Sequence, residues 1–501
     1  MARLPTPLDD ARDPDVPNAQ VATRSGLYSV VASGGCAVLG LVRSIAVARI
    51  LAPEEFGRFV LVATILGVLD IASQPGLESA ALQQGRLRQR TLQTLWSALI
   101  LRAAFLTLAL LAIAEPLANW FGAPDSAGLL RGIAFVPLVR SFASLAVLAR
   151  AHKVDLAPQA RLQLSAQGTE TVVSVVACAV TGSANGLVLG LLAGAAVELV
   201  GSWQVSGFRP RFCLAAGELW PLVRFGRWVF ASNVLGFLST NGDDLVVGRV
   251  AGAGPLGLYR AAYRLANLPT VQLSHALSRV AFPALSRLQD VSPATRNEVF
   301  LRYLRLTTAV AGVLGAAVTA TASDLVVTLL GEAWSGAATP LSIMAGAGVI
   351  RAVVGTGGTY FLAGARPQLD TWMQMVRVAV LASGIALLLP LFGISGVAAA
   401  SLLSVIAIVP GWLFGLRRFG LGCRRVLAEV AGPLLIVITS GVAGSVVASL
   451  VPGPLPAVLL AAVAVFGTWL LMIWRLQPSL RRELELVVEH LKRNGRASDG
   501  E

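Results

Sequence analysis

Ionised side chains set inside long apolar runs are the groups in this chain with the most chemical potential. Arg43, Arg102, Arg140, Arg264, Arg279, Arg351 and Arg377 fall in such runs, together with Asp70, Glu78, Glu170 and Glu198. A charge at the centre of a bilayer costs about 2.5–3.5 kcal/mol on insertion scales, so by default it faces a polar interior. Arg43, Arg140 and Arg351 lie too deep in their runs for easy snorkelling, whereas Arg102 and Arg377 lie near an end, where it operates. Arg260 and Arg264 stand four residues apart, on one face of a helix at the mouth of its run. That geometry suits a single multivalent anion, and an arginine-rich lining favours phosphate or diphosphate, which the planar guanidinium meets with two hydrogen bonds. The competing reading is structural, with each arginine tied to Asp70, Glu78, Asp243 or Asp244 as glue between helices. Asp243 and Asp244 close the polar break STNGDD, so Asn241, Asp243, Asp244 and Asp70 stay open as a gate, a cation site or an ordinary helix-end cluster. His275 reads as a packed polar residue rather than a proton relay. Cys36, Cys178, Cys213 and Cys423 are far apart with no CxxC and no neighbouring histidine, so neither a disulfide framework, a zinc site nor a catalytic constellation is expected.

The elements that hold these groups follow from composition. Of 501 residues, 55% are hydrophobic and 13% charged, with a mean hydropathy of +0.72; a soluble domain carries about 25% charge. A polytopic membrane protein is what remains. The net charge of +13 is scattered through apolar sequence rather than massed on one domain, which argues against nucleic acid as a partner. A helix needs about 20 apolar residues to cross the hydrocarbon core, and fourteen such runs are legible: about 25–48, 59–83, 92–114, 128–149, 162–181, 185–207, 220–240, 256–284, 303–323, 338–363, 369–390, 394–416, 427–450 and 455–475. Pro75 and Pro269 fall inside the second and eighth, which are read as kinked spans. With the N-terminus in the cytosol, 28 of the 40 basic residues lie on the cytosolic side, as the positive-inside rule requires. Both termini are therefore expected inside. Residues 1–24 read as a disordered cytosolic tail, and 478–501 as a cytosolic amphipathic tail with Leu480, Leu484, Val487 and Leu491 on one face. No hydrophilic loop is long enough for a soluble catalytic domain, so no enzyme is expected.

The chain also repeats itself. AVARILAPEEFGRFVLV resembles VVGRVAGAGPLGLYRAA, with Arg49, Gly57 and Phe59 mapping onto Arg249, Gly257 and Tyr259 at a constant offset of 200. A weaker echo joins the sequence around Arg140 to that around Arg351. This predicts two six-helix lobes, 25–207 and 208–416, related by an axis along the membrane normal, with an accessory pair of spans over 417–477.

Residues 219–289 carry a further pattern: Asn241 with Asp244, Gly248-Arg249, Leu256-Gly257-x-Tyr259, Leu268-Pro269, and Phe282-Pro283 followed by Leu285-Ser286. With VARILAPEEFGRF at 47–59 and LLGEAWSGAATPL at 329–341, it resembles the Wzx-type polysaccharide flippases of the bacterial multidrug/oligosaccharidyl-lipid/polysaccharide exporter superfamily. The resemblance implies two lobes around a central cavity, alternating access, and transfer of undecaprenyl-diphosphate-linked oligosaccharides across the bacterial plasma membrane. It implies membrane lipids and glycan-assembly proteins such as a polymerase as partners, no cofactor, and a coupling ion, H+ or Na+, that no motif fixes. Arg43, Arg140, Arg260, Arg264 and Arg351 are the candidates for the diphosphate and sugar, by position. A lipid II flippase and a drug/cation antiporter are the rival readings; the antiporter requires a carboxylate-lined cavity, and this one reads cationic. A membrane polymerase or ligase requires a large outer loop that this chain lacks.

Overall fold

The computed structural model describes residues 19–73, 77–82, 88–152, 156–205, 210–288, 292–364, 366–478 and 480–481. Among these residues the chain is helical, with no strand. It divides into two compact units, Met1–Gly257 and Leu258–Glu501. The helix Ala216–Val250 belongs to the first of them and packs on the helices Pro53–Ser73, Leu77–Leu82 and Gln89–Trp120.

The first unit holds α1 (Ala19–Ile50), α2 (Pro53–Ser73), α3 (Leu77–Leu82), α4 (Gln89–Trp120), α5 (Ala127–Ile133), α6 (Phe135–Ser141), α7 (Ala146–His152), α8 (Ala157–Thr181), α9 (Asn185–Gln204) and α10 (Ala216–Val250). Small residues set how closely these helices approach. Gly186, Gly190 and Gly194 recur every four residues on α9 and face α8. A Cβ on Gly190 would strike the Ser174 hydroxyl, and one on Gly186 the backbone at Cys178. α8 stops at Gly182, whose φ of +63° is left-handed, and the tight turn lets α9 fold straight back.

The run 59–83 holds α2 and α3, and Pro75, where a kink is expected, lies outside the described residues. One expected span is broken. The run 128–149 is three short helices, α5 to α7, rather than one. Backbone freed at that break finds partners on neighbouring helices: the Trp96 indole donates to the Ala143 carbonyl at 3.2 Å, the Trp203 indole to the Phe142 carbonyl at 3.0 Å, and the Ser144 N–H to the Ser202 hydroxyl at 2.8 Å. Irregular backbone at membrane depth survives only with such satisfaction.

The internal repeat appears as a contact within the first unit. α2 begins at Pro53 and α11 (Ala253–Arg287) at Ala253, an offset of 200. A Cβ on Gly57 would collide with the Ala253 carbonyl, and a Cβ on Gly257 with the Pro53 carbonyl. Under that offset the two contacts exchange.

The second unit continues α11 with α12 (Pro293–Ala320), α13 (Ala322–Leu329), α14 (Ala338–Ala363), α15 (Pro367–Ala407), α16 (Val409–Arg417), α17 (Cys423–Leu450) and α18 (Pro454–Leu476). α11 runs through Pro269 as one helix. α15 is a hairpin rather than a rod. Gly393 leaves helical geometry at φ +58° and ψ −141°, a Cβ on Gly384 would lie 2.9 Å from that of Ala400, and Gly396 abuts the Leu388 carbonyl. The chain thus reverses between the expected runs 369–390 and 394–416. α17 and α18, the expected accessory pair, pack on α12 through Gly312 against Val437 and through a core of Ala309, Ile436, Val465 and Trp469.

Ten stretches among the described residues are long and apolar enough to cross a bilayer by length and composition, the α15 hairpin with α16 counting as one. The broken α5–α7 segment and the two long, polar-interrupted helices α10 and α11 are not among them. The protein is an all-α polytopic membrane protein.

Candidate functional site

α11 and α14 bring the candidate arginines of the second unit together. On α11, Arg260, Arg264 and Asn267 follow at spacings of four and three, which puts them on one face. The Arg260 guanidinium lies 5.3 Å from the centre of the Tyr263 ring, a cation–π contact that occupies its flat side. Asn267 is buried, and its amide nitrogen donates to the Tyr263 carbonyl at 2.8 Å.

α14 reaches this face because Gly348 is small: a Cβ there would lie 3.2 Å from the Thr270 hydroxyl. One turn on, the Arg351 Nη1 donates to the Asn267 Oδ1 at 3.0 Å. Among the described residues the buried Arg351 Nε has no hydrogen-bond partner. Neither α11 nor α14 contains an aspartate or glutamate, while together they hold Arg260, Arg264, Arg279, Arg287 and Arg351. A neutral amide therefore positions Arg351 without cancelling its charge. Asn267 is the candidate residue that sequence reasoning missed. Its signal was an amide in an apolar run, in helical register with Arg260 and Arg264.

In the first unit the candidates meet acids. Arg43 on α1 forms an ion pair with Glu170 on α8, with side chains 14% and 9% exposed. Arg140 on α6 pairs with Glu198 on α9 at 3.1 Å and is 47% exposed. Arg102 on α4 reaches Asp70 on α2 at 2.9 Å, and also the Asp70 carbonyl and the Ser73 hydroxyl. Of the acids expected as structural partners, Asp70 does pair, but with Arg102; Glu170 and Glu198 hold Arg43 and Arg140. Arg43 and Arg140 thus meet carboxylates where Arg351 meets an amide.

The remaining candidates lie on α10. Asp243 and Asp244 are buried, and the Asp244 N–H donates to the Asp243 carboxylate at 3.1 Å. The Asn241 amide donates to the Phe237 carbonyl at 3.3 Å and the Thr240 hydroxyl at 2.9 Å. The described residues hold no group of three His, Cys, Asp or Glu side chains able to bind a metal. The side chain of His275 lies outside the described set.

Comparison with known proteins decides the family. Residues 46–339 match the family described as polysaccharide biosynthesis protein, more than half the chain. The chain belongs to that family. Among its relatives is the succinoglycan biosynthesis transport protein ExoT of Rhizobium meliloti, 26% identical over 328 residues, which are 66% of each chain. Another is the lipopolysaccharide biosynthesis protein WzxC of Escherichia coli, 26% identical over 356 residues, covering 68% of this chain and 69% of the relative. Each match spans about two thirds of the relative's length. The fold is similar to that of the lipid II flippase MurJ in an inward closed conformation, with a TM-score of 0.71 at 13% identity over 89% of this chain and 98% of that one. It is also similar to an inward-facing multidrug transporter of the MATE family, with a TM-score of 0.59 at 15% identity over 77% of this chain and 94% of that one.

Proposed function

We propose that the protein carries an undecaprenyl-diphosphate-linked oligosaccharide from the cytosolic to the outer leaflet of the bacterial plasma membrane by alternating access. The observation that carries the reading is the acid-free pair α11 and α14, with five arginines and an amide that fixes one of them. Two relatives named for polysaccharide transport and lipopolysaccharide biosynthesis support it.

Arg260, Arg264 and Arg351 are the residues assigned to the diphosphate. Like charges four residues apart on a helix repel, and a dianion between them relieves that repulsion while accepting charge-assisted hydrogen bonds. Asn267 holds the Arg351 plane by one N–H and leaves its other donors for the ligand. No bond is made or broken, so the arginines supply binding and not catalysis. Arg43 and Arg140, matched by Glu170 and Glu198, are assigned to helix pairing rather than to the diphosphate. Asp70, Asn241, Asp243 and Asp244 remain the candidates for a gate or for an H+ or Na+ coupling site. Both termini are placed in the cytosol, and a glycan polymerase on the outer face is the assigned recipient of the product.

The test is a transport assay in proteoliposomes with lipid-linked oligosaccharide, read by an impermeant lectin or glycosidase. Arg264→Ala and Arg351→Ala are each expected to slow transfer at least about tenfold, the loss of one charge-assisted contact of about 1.5–3 kcal/mol, with the protein still present in the bilayer. Wild-type rates in both variants would remove α11 and α14 from the path. In cells, deletion of the gene is expected to trap the lipid-linked glycan on the cytosolic leaflet.

A further inference from the structure

At one end of the second unit, away from Arg260 and Arg351 along α14, two guanidiniums share one aromatic platform. The Arg296 carbon lies 5.5 Å and the Arg366 carbon 5.6 Å from the centre of the Phe419 ring, and Arg296 is also 5.6 Å from that of Tyr360. The platform is rigidly held. The Tyr360 hydroxyl donates to the Asn297 Oδ1, the Asn297 amide donates to the Phe419 carbonyl at 3.3 Å, and the Tyr360 and Phe419 rings meet edge to face at 5.1 Å. Gly364 makes room for it, since a Cβ there would lie 2.5 Å from the Phe419 ring.

Stacking occupies the flat faces of a guanidinium and leaves its N–H edges turned outward. The ion pairs found among the described residues include neither Arg296 nor Arg366; Arg296 also meets the Tyr360 hydroxyl, while its buried Nε has no hydrogen-bond partner among them. Arg417, Arg418, Arg424 and Arg425 flank Phe419 in the chain and add to the positive field. Just past Arg366, α15 offers a cavity of about 270 Å³ lined by Gln368, Thr371, Trp372 and Met375, with Trp372 68% exposed. An exposed tryptophan beside basic residues is the composition of a membrane–water interface.

We propose that Arg296 and Arg366, stacked on Phe419, form a binding site for the phosphate of an anionic membrane lipid, separate from the transported substrate. The guanidinium edges take the phosphate oxygens, and the cavity beside Trp372 takes the start of the acyl chains. By the arginine distribution this end faces the cytosol, so the lipid belongs to the inner leaflet. The site does not depend on what the protein transports.

The experiment measures lipid adducts retained by the purified full-length protein in native mass spectrometry, after reconstitution with phosphatidylcholine alone or mixed with phosphatidylglycerol. Wild type is expected to retain phosphatidylglycerol about tenfold over phosphatidylcholine, the effect of one charge-assisted contact. Arg296→Gln/Arg366→Gln is expected to abolish that preference, while Arg161→Gln, an exposed arginine of α8, leaves it intact. Should the double variant not be recovered folded, Arg366→Gln alone serves, because Arg366 is exposed and lies over the Phe419 ring. An unchanged preference in the folded variants overturns the site. A second arm adds millimolar inorganic phosphate to the protein in phosphatidylcholine. Thermal stabilisation that is lost in the variant, without any preference for phosphatidylglycerol, assigns the arginines to a free anion and overturns the lipid.

Discussion

Residues of the same type carry opposite assignments here, and the partner decides which. Arg43 faces a buried glutamate, so removing its guanidinium strands a charge. Arg43→Ala is expected to destabilise the protein by about 3–5 kcal/mol, seen as a lowered Tm in detergent, and Arg43→Ala/Glu170→Ala is expected to recover most of that loss. If the double variant melts with the single one, the pair is not the reason Arg43 sits where it does. Arg351 faces an amide, and its expected signature is the reverse: Arg351→Ala lowers transport with a small change in Tm. Asn267→Asp supplies the carboxylate that α11 and α14 lack. It is expected to hold Arg351 more firmly, raise Tm slightly, and cut transport at least about tenfold by cancelling its charge. A rate equal to wild type in Asn267→Asp would show that the charge of Arg351 is not what the substrate meets.

At the scale of elements, glycines decide where helices turn and how near they come. Gly393 allows the α15 hairpin to reverse with φ +58° and ψ −141°, a combination open in practice to glycine alone. Nothing lies within 4 Å of where its Cβ would sit, so Gly393→Ala tests conformational strain without steric collision. It is expected to cost about 1–3 kcal/mol, measured as a lower unfolding temperature with expression retained. Gly57 and Gly257 are the opposite case, because their Cβ atoms would meet fixed carbonyl oxygens rather than side chains. Gly57→Ala and Gly257→Ala are each expected to cost more than the about 1–3 kcal/mol of ordinary overpacking. The symmetry of the contact predicts that the two variants lose similar amounts in the same thermal assay; a large loss in one with none in the other would break the equivalence of the repeats at this point.

The whole molecule is a set of apolar helices whose basic residues lie mostly on one side in the fourteen-run reading, and orientation is the prediction that belongs at this scale. Alkaline phosphatase fused to either terminus is expected to stay inactive, since it needs an oxidising compartment for its disulfides, whereas a fluorescent protein fused there is expected to mature. Activity at one terminus alone would mean an odd number of crossings. Sequence alone determined that this is a helical membrane protein, that it contains a repeat at an offset of 200, and that arginines lie inside long apolar runs. Each follows from a property that adds up along a short stretch of chain: the transfer energy of about 20 consecutive side chains, or the identity of a local pattern. The tertiary structure alone decided which charge meets which. Glu170 lies 127 residues from Arg43, and Asn267 lies 84 residues before Arg351. Those pairs exist because particular helices lie alongside one another, as at Gly348 against Thr270. It also decided that the run 128–149 is broken, since the groups that satisfy that break, Trp96, Trp203 and Ser202, come from α4 and α9 and leave no mark in the run itself. Hydrophobicity is read locally because lipid surrounds every span alike, but the pairing of a buried charge depends on the neighbour that packing places beside it.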